Sequence, residues 1–212
     1  MPFTIPKIYP ITDTRLSGLS HAEQVKELIA AGAELVQLRD KHAGPREFYR
    51  DCLRSVMLAH ASGVKVIVND RVDIAVAVGA DGVHLGQDDL PPEAARMLLG
   101  RSAIIGYSTH SVSQAIAAAQ LPVDYIAIGP VFPTTTKQDP DAVVGLDGVR
   151  CVAAAVGDLP VVGIGGITLE NARSVLDAGA SSVAVISGLF RSHRSIYQQM
   201  QSFMNLAVDQ TF

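Results

Sequence analysis

Ala31-Gly32-Ala33-Glu34-Leu35-Val36-Gln37-Leu38, Val78-Gly79-Ala80-Asp81-Gly82-Val83-His84-Leu85 and Ala178-Gly179-Ala180-Ser181-Ser182-Val183-Ala184-Val185 repeat one plan along the chain. In each, a helical stretch stops at a glycine and a short run of aliphatic and β-branched residues follows. Glycine suits the position just past a helix because it enters the left-handed region with no Cβ penalty. Near-continuous apolar runs suit strands buried on both faces, as in a parallel sheet covered by helices. Each copy therefore reads as a helix stop feeding a parallel strand.

Working outward from these copies, strands are expected at 7–11, 34–39, 65–69, 82–85, 103–106, 125–129, 161–165 and 182–187. Helical periodicity fills the gaps at 21–31, 45–61, 72–78, 91–99, 111–119, 145–156, 169–178 and 192–208. Eight strands alternating with eight helices imply a parallel sheet with right-handed crossovers. Eight equal units fit a closed (β/α)8 barrel, a TIM barrel, better than an open doubly wound sheet, the remaining alternative. No linker divides the chain, so a single barrel domain over 1–212 is expected. The longest connection, 130–144, is the natural candidate for a lid.

The 212 residues, 48% hydrophobic and 18% charged, are enough for one sizeable core. Seventeen Lys and Arg against 21 Asp and Glu give a net charge of −4, with the basic residues dispersed. Nucleic acid and membrane surfaces are therefore not expected partners, and any bound anion has to be met locally. Cys52 and Cys151 fall in expected helices outside any metal-ligand spacing, and read as reduced thiols. No basic and apolar leader opens the sequence, so a cytoplasmic enzyme is expected. A homo-oligomer is compatible with this composition.

In such barrels the chemistry sits at the C-terminal ends of the strands. Polar residues gather there: Gln37, Arg39 and Lys41 after strand two, Asn69 and Asp70 after strand three, Asp88 and Asp89 after strand four, Ser108 after strand five, Thr134 to Lys137 after strand six. Gln37 and Arg39 lie two apart and share a face. Arg39 reads either as an internal salt bridge or, with Lys41 beyond it, as an anion clamp. Asp70 and Asp89 end or follow neighbouring strands, so their carboxylates can converge on Mg2+; alternatively Asp70 caps the next helix and Asp89 starts a turn. Gly165-Gly166 after strand seven and Ser187-Gly188 after strand eight have the placement of a phosphate site. His84 and His110 read more readily as structural hydrogen-bonding groups than as bases.

As a set, Gln37-Leu38-Arg39-Asp40-Lys41, Val68-Asn69-Asp70, Val83-His84-Leu85-Gly86-Gln87-Asp88-Asp89, Gly106-Tyr107-Ser108-Thr109-His110, Gly129-Pro130-Val131-Phe132-Pro133-Thr134-Thr135-Thr136-Lys137 and Gly163-Ile164-Gly165-Gly166-Ile167 resemble the thiamine phosphate synthase family. The likeness covers nearly the whole chain, in order. It implies a transferase that joins 4-amino-2-methyl-5-hydroxymethylpyrimidine diphosphate to a thiazole phosphate and releases diphosphate. By position, the resemblance puts Gln37, Leu38, Arg39, Asp40, Lys41, Asn69, Ser108 and Lys137 on the pyrimidine diphosphate and Mg2+ on Asp70 and Asp89. Thr134, Thr135, Thr136, Gly166, Ile186 and Ser187 fall to the thiazole phosphate. Arg39, Lys41, Lys137 and Ser108 are then closest to the chemistry. That chemistry is a dissociative substitution, which needs charge stabilisation and alignment but no enzyme nucleophile.

A related thiazole tautomerase shares the barrel but is expected to carry a histidine where this chain has Pro130. A non-catalytic thiazole-phosphate-sensing barrel is a further alternative, and an unrelated isomerase would need an acid and base pair. If the synthase reading holds, Asp70 and Asp89 should face one another, and Gly166 and Ser187 should line a separate phosphate pocket.

Overall fold

The computed structural model describes residues 4–134, 141–190 and 194–208. Along the chain run β1 (Ile8–Thr12), α1 (Thr14–Ser17), α2 (His21–Ala30), β2 (Leu35–Leu38), α3 (Pro45–Ala61), β3 (Lys65–Asn69), α4 (Val72–Val78), β4 (Gly82–Leu85) and α5 (Pro92–Leu99). They are followed by β5 (Ile104–Thr109), α6 (Val112–Ala118), β6 (Tyr125–Ile128), α7 (Gly145–Val156), β7 (Val161–Ile164), α8 (Ala172–Asp177), β8 (Ser182–Val185), α9 (Ser187–Phe190) and α10 (Ile196–Val208).

The strands are parallel and pair in sequence order into a closed barrel. Closure is made by β1 against β8, with Ile8 opposite Val183 and Pro10 opposite Val185. This decides between the barrel and the open sheet. The repeated helix stops behave as expected: Gly32, Gly79 and Gly179 all have positive φ, at 94°, 67° and 102°. At Gly82 the requirement is space, since a Cβ there would lie 1.9 Å from the Ile104 carbonyl oxygen.

Two apolar layers follow from strand alternation. Val36 and Leu38 point outward into the core between sheet and helices. Leu35 joins Tyr9, Ile67 and Tyr125 in the barrel interior. Burying each large aliphatic side chain contributes roughly 1.5–3 kcal/mol, so the register of a strand such as β2 is strongly specified.

The helices start where local chemistry satisfies their free N–H groups. Ser20 and Glu23 form a capping box on α2, and Pro45 occupies the start of α3. Several boundaries differ from expectation, two of them for visible local reasons. Strand β5 continues to Thr109 because Ser108 and Thr109 pair with Ala127 and Ile128 of β6. Helix α8 starts at Ala172, since the Asn171 side chain accepts from the Thr168 N–H and donates to the Gly166 carbonyl, organising a turn instead. The one-turn helices α1 and α9 were not anticipated; Asp13 caps α1 by accepting from the N–H groups of Arg15 and Leu16.

Candidate active site

A cavity of about 460 Å³ opens at the C-terminal ends of the strands, where barrels of this type carry their chemistry. Its lining includes Gln37, Arg39 and Lys41 from the end of β2, Asn69 and Asp70 from β3, Asp89 after β4 and Ser108 on β5. Thr134, Gly166, Ile186 and Ser187 line the same cavity. The two groups thus share one continuous space, and the expected separate phosphate pocket is a correction. Ser108 is also repositioned, from a loop to the strand itself.

Two residues of the 37–41 motif turn away from this space. Leu38 is fully buried in the outer core, because alternation sends it to the face opposite Gln37. The Asp40 carboxylate accepts from the N–H groups of His42 and Ala43, each at 2.8 Å, and from the Thr14 hydroxyl at 3.0 Å. Burial raises its pKa, but these donors outweigh burial and hold it below the usual carboxylate range. Asp40 therefore shapes the loop that carries Lys41 and does not line the cavity. Thr135, Thr136 and Lys137 lie outside the described residues.

Charge is concentrated on the β2 to β4 side. Arg39 is 3.5 Å from the Asp13 carboxylate, so the internal salt bridge exists while the guanidinium still borders the cavity. The Lys41 ammonium pairs with the Asp70 carboxylate. Asp70 sits at φ 61°, the sole non-glycine residue with positive φ among those described. The left-handed region costs an L-residue about 1–2 kcal/mol, and such strain collects at functional sites. It is held by the Asp70 N–H, which donates to the His84 carbonyl at 2.8 Å. Its carboxylate pairs with Lys41 and does not make the helix cap that was the alternative reading; α4 has no side-chain cap.

The Asp89 carboxylate accepts from the Gly86 N–H at 2.7 Å and closes the turn that precedes it, where the alternative reading had it start a turn. It also lines the cavity beside Asp70. Burial pushes its pKa up, and the neighbouring Asp70 carboxyl adds to the rise against the opposing Gly86 N–H and Lys41. Two crowded carboxylates, one of them with raised proton affinity, form a hard-oxygen pair that is short of positive charge. Mg2+ usually takes one or two carboxylates and completes its shell with water and phosphate oxygens, so the pair fits that ion. Among the described residues no cluster of three or more His, Cys, Asp or Glu side chains forms a full cage.

His84 is enclosed: Nδ1 is 3.0 Å from the Tyr125 hydroxyl and Nε2 is 2.9 Å from Ser108 Oγ. Burial pushes its pKa down to about 4, so the ring is neutral near pH 7. His110 Nδ1 donates to the Gly129 carbonyl at 2.6 Å and approaches the Asp141 carboxylate at 3.4 Å, tying β5 to the connection after β6. Both histidines make hydrogen bonds that tie elements together, and both also line the cavity. On the opposite side Gly166 has φ 66°, and a Cβ there would meet the Pro133 carbonyl oxygen at 2.7 Å and Phe132 Cβ at 2.8 Å. Glycine is required there by both backbone and space.

Sequence reading missed Asp13 as the partner of Arg39, and Tyr9 and Tyr125 beneath the cavity. The alternation of β1, which places Tyr9 with Ile11 on the inner face, was the available signal for the tyrosines.

A family model described as thiamine monophosphate synthase matches residues 8–189. The chain belongs to that family. The thiamine-phosphate synthase of Chloroflexus aurantiacus is 46% identical over 184 residues, covering 86% of this chain and 84% of the relative. That of Koribacter versatilis is 44% identical over 209 residues, covering 95% and 96%. The solved thiamine phosphate pyrophosphorylase from Pyrococcus furiosus superposes with a TM-score of 0.86 at 38% identity, covering 95% of each chain. This member of the thiamine monophosphate synthase family is thus a barrel enzyme of the transferase class with its polar cavity at the strand ends. No helix among the described residues is long and apolar enough to cross a membrane.

Proposed function

We propose that this chain is a cytoplasmic thiamine phosphate synthase, joining 4-amino-2-methyl-5-hydroxymethylpyrimidine diphosphate to a thiazole phosphate with Mg2+ as cofactor. The observation that carries this reading is the Asp70 and Asp89 carboxylate pair beside Arg39 and Lys41, in one cavity with Gly166 and Ser187. In this reading Gln37, Asn69 and Ser108 contact the pyrimidine diphosphate with Arg39 and Lys41. Thr134, Gly166, Ile186 and Ser187 take the thiazole phosphate. By resemblance alone, Lys137 is assigned to the pyrimidine diphosphate and Thr135 and Thr136 to the thiazole phosphate. Leu38 is removed from the side-chain contacts, and Asp40 is kept as an organiser of its loop.

The reaction breaks the C–O bond between the pyrimidinylmethyl carbon and diphosphate and forms a C–N bond to the thiazole. The bonding pair of the C–O bond leaves with diphosphate, so negative charge grows where Arg39 and Lys41 stand. Preorganised cations at a developing charge are among the largest catalytic effects available. Asp70 and Asp89 would hold Mg2+, which supplies further positive charge against the leaving group when bound. The thiazole nitrogen attacks with its own lone pair, so no proton has to be removed from it. A neutral, enclosed His84 is compatible with that economy. Holding both substrates in one continuous cavity replaces an encounter in solution by alignment.

Purified protein supplied with both substrates and Mg2+ should form thiamine phosphate and diphosphate, and chelation of the metal should stop it. Absence of product, or product indifferent to the metal, overturns the reading.

A further inference from the structure

A line of hydrogen bonds crosses the barrel beneath the cavity. Gln37 Nε2 donates to the Tyr9 hydroxyl at 2.9 Å, and the Tyr9 and Tyr125 hydroxyls lie 2.9 Å apart. The Tyr125 hydroxyl is 3.0 Å from His84 Nδ1, and His84 Nε2 is 2.9 Å from Ser108 Oγ. The ends, Gln37 and Ser108, line the cavity, as does His84. Between them Tyr9 is 1% exposed, Tyr125 0% and His84 7%. Ring contacts keep the line rigid: Tyr9 meets Tyr125 edge-on, and Tyr125 stacks on the His84 ring.

Each hydroxyl has one proton, so the direction of one link sets the next. An amide nitrogen donates only. The Tyr9 oxygen accepts from Gln37, and the Tyr9 proton passes to the Tyr125 oxygen. Continued in that sense, the Tyr125 proton goes to His84 Nδ1, which is then the bare nitrogen of the neutral ring. The ring proton therefore sits on Nε2 and is donated to Ser108 Oγ. Ser108 keeps its own proton for the cavity. A serine 2.9 Å from a histidine resembles a hydrolytic pair, in which the imidazole takes the hydroxyl proton; here the polarity is reversed.

We propose that Tyr9 and Tyr125 are positioning residues that hold His84 as its Nε2–H tautomer, so that the Ser108 hydroxyl is aimed into the cavity as a donor to an anionic substrate oxygen. The same polarity leaves the amide oxygen of Gln37 as the end presented to the cavity, an acceptor for a substrate N–H. If the Gln37 amide were turned round, every link would reverse and the Ser108 proton would be taken by His84. The polarity of the line is independent of which substrate binds, whereas the task given to Ser108 rests on the diphosphate reading of the cavity.

Long-range proton–nitrogen correlation spectra of the whole chain, labelled with 15N-histidine, read the tautomer directly, with His84 assigned by loss of its signals in His84→Gln. Wild type should show a protonated Nε2 and a bare Nδ1 near neutral pH. Tyr125→Phe removes one buried oxygen, and should mix the tautomers and lower kcat about tenfold with little change in KM, the effect of one lost oriented hydrogen bond. Tyr9→Phe cuts the line upstream of Tyr125, so it should mix the tautomers as well, and should in addition raise KM for the pyrimidine substrate by releasing Gln37. A protonated Nδ1 in wild type overturns the proposal, as does a Tyr125→Phe protein with wild-type tautomer and kcat. Should Tyr125→Phe fail to fold, the wild-type spectrum decides alone. The expected tautomer in a protein that forms no thiamine phosphate supports the relay and sinks the functional reading; turnover with a protonated Nδ1 does the reverse.

Discussion

Replacing Asp70 by asparagine removes one charge from the carboxylate pair and leaves the shape unchanged. Asparagine tolerates the left-handed backbone at φ 61° as aspartate does, so the fold should survive. At an effective dielectric constant of about 20, a divalent ion and a carboxylate about 4 Å apart attract by roughly 8 kcal/mol. The wild-type carboxylate must first give up Lys41, which at a similar separation offsets about 4 kcal/mol. The amide oxygen that asparagine retains recovers part of the remainder. A net loss of about 2.7 kcal/mol corresponds to roughly 100-fold in affinity. Initial rates of thiamine phosphate formation, titrated with Mg2+, should therefore show half-saturation raised about 100-fold in Asp70→Asn, with a circular dichroism spectrum like that of wild type. An unchanged half-saturating Mg2+ concentration would falsify the placement of the metal on Asp70.

Asp89→Asn keeps an acceptor for the Gly86 N–H while removing a carboxyl whose pKa folding raises. A raised carboxyl favours the folded state only at low pH, and its cost grows as pH climbs from the unfolded value of about 3.9 through the folded one. The variant should therefore melt higher than wild type at pH 7, with the gain vanishing below about pH 4; a gain that persists in acid contradicts the crowding of the two carboxylates. Gly166→Ala forces a Cβ against Pro133 and Phe132 at positive φ. Strain of about 1–2 kcal/mol and overpacking of about 1–3 kcal/mol should lower Tm by several degrees, and a calorimetric scan matching wild type would refute the close approach. Arg39→Lys retains the charge but loses the fork, and should raise KM for the pyrimidine diphosphate about tenfold in steady-state assays.

The parts of the fold legible in the sequence were those set by local chemistry. Gly32, Gly79 and Gly179 mark helix ends because backbone conformation at those points depends on the residue itself. Closure of β1 on β8 was inferred only from the count of units, since no local signal joins Ile8 to Val183. At the site, Asp70 and Asp89 each had an ordinary local explanation, and only their joint position at neighbouring strand ends drew them together; both line the cavity. Leu38 and Asp40 were drawn into the site by treating 37–41 as one block, although strand alternation sends Leu38 outward and a turn after β2 folds Asp40 back onto its own loop. The cavity was expected as two pockets because the motifs come in two groups along the chain. In space the barrel brings those groups round to one opening.

Strand β2 interleaves two vocabularies. Leu35 and Gln37 face the barrel interior, while Val36 and Leu38 face the helices. Inserting or deleting a single residue there would exchange the two sets. Leucine would then line the opening, and the amide of Gln37 would be driven into a dry layer with nothing to bond. Drift in this strand can therefore proceed by substitution but not by change of length, because Gln37, which lines the cavity, and Val36 and Leu38, which hold the barrel to its helices, are alternate letters of the same word.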